Sequence, residues 1–300
     1  WSSVKGWLLP PAMSRRVAVV TGSNKGIGFA IVKGLCQRFD GTVYLTSRDY
    51  SRGRAALGEL QEQGFNPEYH QLDVADKNSV IRFRDYIKEK EGGIDILINN
   101  AAVISTAMYN AHDQNMTIVE INYKSILTIQ EVLFPLVRDN GRILNVSSDC
   151  GHLSNVRNEH WIERLSRKDL TVDDINQFVD WYLGADKNGT FNKEDIADGA
   201  TVAAYRVAKV ALSALTMLQQ KELASRNISV NSMHPGLVRT DMTSHVGFYS
   251  TDEAAETPIY LVLDAPQTLK GAYVWYDRKV LDWYDYNADY YFKYKTLLMS

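Results

Sequence analysis

The chain has 300 residues, of which 45% are hydrophobic and 23% charged, and its formal net charge is −3 at pH 7. This ordinary globular balance excludes a disordered or collagen-like chain, and the small charge gives no basic field that would favour nucleic acid or an anionic membrane. Two cysteines, Cys36 and Cys150, are too few for a disulfide framework or a four-thiolate zinc site, and the six histidines lack the paired spacing of a metal site.

The N-terminal segment has few features of a folded element. Pro10 and Pro11 interrupt its apolar residues, so it lacks the apolar core of a secretory signal. Met13 precedes the first strand pattern, and we expect residues 1–12 to be a leader outside the folded domain. No run of the sequence approaches the ~20 apolar residues of a membrane span. These features favour a cytoplasmic protein without a membrane anchor.

Apolar, β-branched runs then alternate with segments of helical periodicity. The predicted strands are residues 17–20, 42–45, 69–72, 94–99, 142–146 and 228–233. The predicted helices are residues 26–39, 52–63, 79–90, 117–137 and 202–224. Continuous apolar strands separated by amphipathic helices indicate a parallel sheet that helices cover on both faces. The predicted fold class is therefore α/β, a Rossmann-type doubly wound parallel sheet.

Two regions depart from this alternation. Residues 151–200 are polar, with scattered aromatic anchors, and are predicted to be a helical insertion on the sheet. Its residues Trp181 and Tyr182 are expected to pack the insertion onto the body rather than to contact a substrate. Residues 284–300 form a Tyr-rich C-terminal tail. We therefore expect one domain over residues 13–283, flanked by the leader and the tail.

Three glycines, Gly22, Gly26 and Gly28, lie between the first predicted strand and the first predicted helix. Glycines allow the backbone to approach a pyrophosphate closely, and a helix N-terminus offers free N–H groups to it. The spacing is neither the common G-x-G-x-x-G nor a P-loop, but the strand–loop–helix context is the one that a dinucleotide site requires. This loop is predicted to bind the cofactor's phosphates.

The end of the second predicted strand indicates which nucleotide is bound. Arg48 and Arg52 lie one helical turn apart there, and Lys25 lies in the glycine loop. Three cations suit a 2′-phosphate, which favours NADPH/NADP+. Asp49 is the residue that would reverse this preference, because an acid at this position suits the free ribose of NAD.

Tyr205 and Lys209 are four residues apart, so they lie on one face of a predicted helix. An ammonium group beside a phenol lowers the phenol's pKa, which would allow Tyr205 to exchange a proton with a carbonyl or alcohol oxygen. Ser148 lies at the carboxyl end of a predicted strand, where open parallel sheets place their sites. Asn122 lies in the preceding long helix.

Five segments occur in a characteristic order. They are residues 21–28 (TGxxxGxG), 99–101 (Asn-Asn-Ala), 145–148 (Asn-Val-Ser-Ser), 205–209 (YxxxK) and 235–236 (Pro-Gly). In this set the chain resembles the short-chain dehydrogenase/reductase family. Residues 45–49, 70–73, 238–242 and 255–260, together with the long interval between Ser148 and Tyr205, resemble the NADPH-dependent carbonyl reductase branch. The resemblance covers residues 14–283.

The resemblance implies a role for each site residue. Tyr205 would be the proton donor, Ser148 would hydrogen-bond the carbonyl oxygen, Lys209 would hold the nicotinamide ribose, and Asn122 would anchor a water relay. Hydride would pass from NADPH to a carbonyl carbon of an aldehyde, ketone or quinone. The cofactor contacts that it implies are Gly22, Asn24, Lys25, Gly26, Ile27, Gly28, Arg48, Arg52, Asp73, Val74, Asn100, Tyr205, Lys209, Pro235, Gly236 and Val238. It also implies a monomer whose partners are small-molecule carbonyl substrates, since the insertion covers the helices through which many family members associate.

The chain departs from the branch at a few positions. Ala102 replaces a usual glycine, and a Cβ there would be strained if the backbone required a positive φ. Residues 103–113 differ from the branch's substrate loop, so binding of glutathione-type substrates is not implied. His234 precedes Pro235 where relatives carry a cysteine. Two alternative functions remain: an NAD(P)-dependent alcohol or hydroxysteroid dehydrogenase, and a non-catalytic NADP-binding sensor or scaffold that uses the Tyr-rich tail.

Overall fold

A computed structural model describes residues 15–104, 112–197 and 202–288. The predicted leader lies outside these residues, as do residues 289–300 of the predicted tail and most of the 103–113 loop. Among the described residues, no helix has the length and apolar character that crossing a bilayer requires.

In the described part of the chain, one sheet of eight strands forms the centre of the fold, in the order β3-β2-β1-β4-β5-β6-β7-β8. Its strands are β1 (Val17–Val20), β2 (Thr42–Ser47), β3 (Glu68–Gln71), β4 (Ile94–Asn99), β5 (Val137–Val146), β6 (Ser229–Met233), β7 (Tyr273–Val274) and β8 (Val280–Leu281). All pairs are parallel except β7 with β8. The predicted α/β class, a doubly wound parallel sheet, is confirmed.

Nine helices accompany the sheet in the described residues. They are α1 (Gly26–Arg38), α2 (Tyr50–Glu62), α3 (Lys77–Lys90), α4 (His112–Val119), α5 (Ser125–Leu133), α6 (Glu159–Leu165), α7 (Val172–Lys187), α8 (Ala203–Leu223) and α9 (Thr251–Leu263). Helices α1, α2 and α9 contribute to one apolar core, and α3, α5, α7 and α8 to the other. Because both faces of the central strands are covered, these strands are apolar on both sides.

The predicted helix over residues 117–137 is wrong in its bounds and continuity. It begins earlier, at His112, and a five-residue π-helical turn (Glu120–Lys124) separates α4 from α5. A 3-10 turn (Phe134–Leu136) then leads into β5, because Pro135 cannot continue the i→i−4 hydrogen bonds of an α-helix. The π turn occurs around Asn122, one of the predicted site residues.

The described part of the insertion, residues 151–197, contains α6 and α7, and α7 packs against α4 and α8. Tyr182 is buried, and its ring meets Phe191 edge-on. Trp181 stacks on Phe178 and contacts Trp161. Both rings thus belong to an aromatic cluster within the insertion, and Tyr182 is also part of the apolar core that contains α3, α5 and α8. The prediction that they pack the insertion onto the body stays a prediction.

The sequence patterns missed α9 and the hairpin β7–β8. Helix α9 begins with a capping box, in which Ser250 and Glu253 exchange hydrogen bonds, and this signal is readable in the sequence. The hairpin strands are only two residues long, too short for alternation to be recognised.

Candidate active site

Most of the predicted site residues lie at the carboxyl edge of the sheet, after β1, β2, β3, β4, β5 and β6, and the others lie on the π turn and on α8. Parallel strands all end at this edge, so residues far apart in the chain meet there. Neighbouring β1 and β4 bring the glycine loop beside Asn100, and β5 and β6 bring Ser148 beside Pro235.

Two glycines of the loop are required by its geometry. Gly22 has φ +59°, and a Cβ on it would lie 2.8 Å from the Cα of Ala101. A Cβ on Gly28 would lie 2.4 Å from Asn100 Nδ2 and 2.9 Å from the carbonyl oxygen of Gly22. Asn100 Nδ2 donates to the carbonyl oxygens of Thr21 (3.0 Å) and Gly22 (3.1 Å) and thereby holds the loop.

Helix α1 starts without a side-chain cap or an acidic residue in its first turn, as far as the described residues show. Its first N–H groups are therefore free to bind an anion, and the helix dipole favours negative charge there. Gly26, with φ +61°, begins this helix, and half-buried Asn24 and Ile27 flank it. The residues present fit the pyrophosphate of a dinucleotide. Ala102 is not among the described residues of positive φ, so the strain considered for its Cβ does not arise.

The cations predicted to hold a 2′-phosphate lie on the surface beside this loop. Arg48 and Arg52 are exposed. Asp49 is the N-cap of α2, and its carboxylate accepts a hydrogen bond from Arg52 N at 2.8 Å. Lys25 Nζ lies 2.6 Å from Asp241 Oδ2, a partner that the sequence patterns did not indicate.

The other predicted cofactor residues flank the same edge. Asp73 follows β3 and accepts a hydrogen bond from Ala75 N, and Val74 beside it is buried. After β6, Gly236 has φ +89°, and a Cβ there would lie 2.8 Å from the ring of Tyr249. Pro235 is partly exposed and Val238 is buried.

Asn122 is positioned by the π turn. Its Nδ2 donates to the carbonyl oxygens of Val103 and Ile118, both at 2.8 Å, and its Oδ1 accepts from Val103 N at 3.2 Å. The side chain thus ties the chain that follows β4 to the long helix. This places Asn122 beside the segment that follows β4, while its role in a water relay stays a prediction.

Helix α8 carries the central pair, because its second turn lies beside the end of β5. Lys209 Nζ donates to the carbonyl oxygen of Val146 at 2.8 Å and lies 5.6 Å from the centroid of the Tyr205 ring. The Ser148 hydroxyl lies close enough to the Tyr205 hydroxyl to lower the pKa of the phenol. The structure therefore brings Ser148, Tyr205 and Lys209 together at the end of β5. Their catalytic roles stay a prediction.

The pKa shifts of this pair differ from the expected ones. Burial raises the pKa of Tyr205 above its ordinary value, and the nearby Ser148 hydroxyl opposes that shift only in part. Burial lowers the pKa of Lys209 to about 7. The phenol is accordingly held in its protonated form, which is the form that donates a proton.

The shift of Lys209 has a consequence for stability. In the unfolded chain its pKa returns to about 10.5, so the unfolded state binds more protons than the folded state between pH 7 and pH 10. The contribution of Lys209 to the free energy of unfolding therefore becomes less unfavourable as pH rises. We expect the wild type to gain roughly 2 kcal/mol relative to Lys209→Met between pH 7 and pH 9, measured by urea unfolding.

The matched control for this experiment is Lys221→Met, an exposed lysine on the same helix. The free energy of unfolding of this variant should differ from that of the wild type by the same amount at pH 7 and pH 9. A constant difference for Lys209→Met as well would contradict the burial of its amino group.

The loop after β5 contains residues that the sequence patterns missed. Ser148 Oγ donates to Asp149 Oδ1 at 2.7 Å, and Asp149 N donates to Nδ1 of buried His234 at 2.8 Å. From the C-terminal hairpin, the Tyr273 hydroxyl donates to the carbonyl oxygen of Ser148, and Trp283 Nε1 donates to that of Gly151 at 2.7 Å. Among these residues, Asp149 could have been found from the sequence, because it directly follows the predicted Ser148.

A glycine loop at a helix start, followed along the same edge by a buried Ser-Tyr-Lys cluster, defines a dinucleotide-dependent oxidoreductase. Comparison with known families specifies this class. The family described as short chain dehydrogenase matches residues 16–160 and 196–247. The chain belongs to the short-chain dehydrogenase/reductase family.

Within that family the chain is similar to the carbonyl reductase branch. It is 36% identical over 278 residues to carbonyl reductase [NADPH] 1 of Sus scrofa, covering 89% of this chain and 94% of that protein. Among solved structures it is similar to salutaridine reductase from Papaver somniferum (TM-score 0.79, 32% identity, 88% of this chain and 100% of that one). It is also similar to menthone neomenthol reductase from Mentha piperita (TM-score 0.74, 30% identity, 88% and 99%).

Proposed function

We propose that this protein reduces carbonyl compounds, namely aldehydes, ketones or quinones, to alcohols with NADPH. The observation that carries the proposal is the convergence of Tyr205, Ser148 and Lys209 at the carboxyl edge of the sheet, beside the glycine loop. The similarity to carbonyl reductases that use NADPH supports it.

NADPH, when bound, supplies the hydride that the carbonyl carbon receives. The protonated phenol of Tyr205 donates its proton to the carbonyl oxygen, which becomes the alcohol. Ser148 hydrogen-bonds that oxygen as negative charge develops on it. Lys209 holds the nicotinamide ribose, and Asn122 anchors the water path by which the phenolate regains a proton from solvent.

The cofactor is held along the edge by residues from five loops. In this proposal Gly22, Gly26, Ile27 and Gly28 bind the pyrophosphate through the start of α1, and Asn24, Lys25, Arg48 and Arg52 bind the adenosine phosphate. Asp73 and Val74 flank the adenine, Asn100 contacts the ribose, and Pro235, Gly236 and Val238 border the nicotinamide.

The function is tested by incubating the purified protein with NADPH and a panel of aromatic aldehydes, ketones and quinones. We expect a substrate-dependent loss of NADPH absorbance and formation of the matching alcohol. Binding of NADPH without turnover on the whole panel would instead favour the non-catalytic sensor.

The choice between NADPH and NADH provides a second test. Replacing both Arg48 and Arg52 by alanine removes two exposed cations and leaves the Asp49 cap in place, since that bond uses the backbone N–H of Arg52. We expect the Kd for NADPH to rise by about 100-fold, because each charge-assisted bond contributes about 1.5–3 kcal/mol at most and exposed ones contribute less. Fluorescence titration measures the Kd for NADPH and the Kd for NADH.

The affinity for NADH should change less than about threefold in the same double variant, because NADH has no 2′-phosphate for the two cations to bind. Arg54→Ala, a nearby exposed cation on α2, is the matched control. If the wild type binds NADH more tightly than NADPH, the alcohol or hydroxysteroid dehydrogenase becomes the better hypothesis.

We also propose that the protein is a cytoplasmic monomer with one domain over residues 13–283 and an insertion over residues 151–200. Packing of α7 against α8 supports the monomer, because it covers part of the surface of this long helix. Light scattering after size-exclusion chromatography should give the mass of one chain, 33.9 kDa.

A further inference from the structure

The hydroxyl group of Ser148 has its single hydrogen directed at a neighbouring acid. Ser148 Oγ donates to Asp149 Oδ1 at 2.7 Å and accepts from Cys150 N at 3.2 Å. A hydroxyl has one hydrogen to donate. While Asp149 receives it, Ser148 cannot donate a hydrogen bond to a substrate oxygen.

The surroundings of Asp149 keep it an acceptor. Burial raises the pKa of Asp149, whereas the Ser148 hydrogen bond and the Arg206 guanidinium lower it, and the pKa lies below its ordinary value. Burial lowers the pKa of His234, whose Nδ1 accepts from Asp149 N, so this ring is neutral near pH 7. An ionised carboxylate only accepts hydrogen bonds, so Ser148 must be the donor.

The loop also fixes where the carboxylate lies. Asn155 Nδ2 donates to the carbonyl oxygen of Asp149 at 2.8 Å. On either side, the Tyr273 hydroxyl holds the carbonyl oxygen of Ser148 and Trp283 Nε1 holds that of Gly151. About a fifth of the Asp149 side chain is exposed, so the carboxylate is not fully enclosed in the core.

We propose that Asp149 is a positioning residue that holds the Ser148 hydrogen, so that Ser148 stabilises the substrate oxygen only when its hydrogen leaves Asp149. The proposal rests on the proposed reductase function. No covalent bond to Ser148 or Asp149 changes, and the proton of the alcohol product comes from Tyr205. A free donor to a developing oxyanion typically contributes about 10²–10³-fold to kcat, and Asp149 reduces that contribution here.

A double-mutant cycle measures this restraint. The four proteins are the wild type, Ser148→Ala, Asp149→Asn and the double variant, each assayed for kcat, KM and NADPH affinity. Ser148→Ala should lower kcat by less than about 10-fold in the wild-type background and by about 100-fold in the Asp149→Asn background. The reason is that an amide is a weaker acceptor than a carboxylate, and its Nδ2 can itself donate to Ser148. NADPH affinity should stay constant across the four proteins.

The proposal would be overturned if Ser148→Ala lowered kcat by the same factor, within about twofold, in the wild-type and Asp149→Asn backgrounds. Asp173→Asn is the matched control, since it removes an exposed carboxylate on α7, and the cost of Ser148→Ala should be the same with or without it. If Asp149→Asn does not fold, Asp149→Ser takes its place in the cycle, with the same expected and contradicting results.

A measurement without turnover separates this proposal from the proposed function. NMR of the Asp149 carboxyl carbon follows its protonation as pH falls from neutral. Ser148→Ala should move the onset of protonation to higher pH, because the variant lacks the hydroxyl that stabilises the carboxylate. An unchanged onset overturns the inference even in an active reductase, whereas a moved onset without turnover on any carbonyl contradicts the function alone.

Discussion

Tyr205→Phe is expected to lower kcat for carbonyl reduction by about 10³-fold while leaving the Kd for NADPH within about threefold. The substitution removes only the phenolic oxygen, so the packing of this ring, which is 7% exposed, is retained. What is lost is the proton donor to the carbonyl oxygen. Steady-state kinetics with the best substrate of the panel, together with fluorescence titration of NADPH, measures the two effects separately.

Tyr44→Phe provides the control, since it also removes a hydroxyl from a buried tyrosine. Tyr44 donates at 2.7 Å to Glu91, which lies between α3 and β4, at the end of the strands opposite the site. We therefore expect a loss of about 1 kcal/mol in stability and no change in kcat. If Tyr205→Phe keeps more than about a tenth of the wild-type kcat, Tyr205 is not the proton donor.

Gly28→Ala is expected to weaken NADPH binding by at least about 10-fold and to lower the free energy of unfolding by about 1–3 kcal/mol. The new Cβ would lie 2.4 Å from Asn100 Nδ2 and 2.9 Å from both Ser23 Cα and the Gly22 carbonyl oxygen. The two backbone atoms have little room to move, so the loop that binds the pyrophosphate must shift. Fluorescence titration and urea unfolding measure the two effects.

The matched control is Gly58→Ala, another glycine-to-alanine change within a helix. A Cβ on Gly58 in α2 would meet no described atom within 4 Å. Alanine there should stabilise the protein by about 0.5–1 kcal/mol through its higher helix propensity and leave NADPH binding unchanged. If both variants bind NADPH like the wild type, close packing at Gly28 is not required by the cofactor site.

Several elements of the fold were predictable because their signals are local. Strands β1 and β4 have the predicted bounds, Val17–Val20 and Ile94–Asn99, since each is a largely continuous apolar run. The glycine loop was predictable because its glycines fall between such a strand and a helix. The four-residue interval between Tyr205 and Lys209 likewise specifies one helix face before any tertiary contact is known.

The π turn at Asn122 shows why other features were not predictable. Residues 117–133 have helical periodicity throughout, so nothing local marks the extra residue in the turn. Asn122 forms hydrogen bonds with the backbone N–H and the carbonyl oxygen of Val103, a residue 19 positions away in the sequence. These bonds depend on the path of the chain after β4. Only the assembled sheet determines that path.

The sequence by itself determined which chemical groups the protein carries and the order in which they meet the sheet edge, because strand, loop and helix signals act over a few residues. The tertiary structure decided how those groups are used. It directs the Ser148 hydrogen to Asp149, places Lys25 against Asp241, and ties the serine loop to Tyr273, which is 125 positions away. Such contacts depend on the packing of whole elements and on burial, and neither leaves a local pattern in the chain.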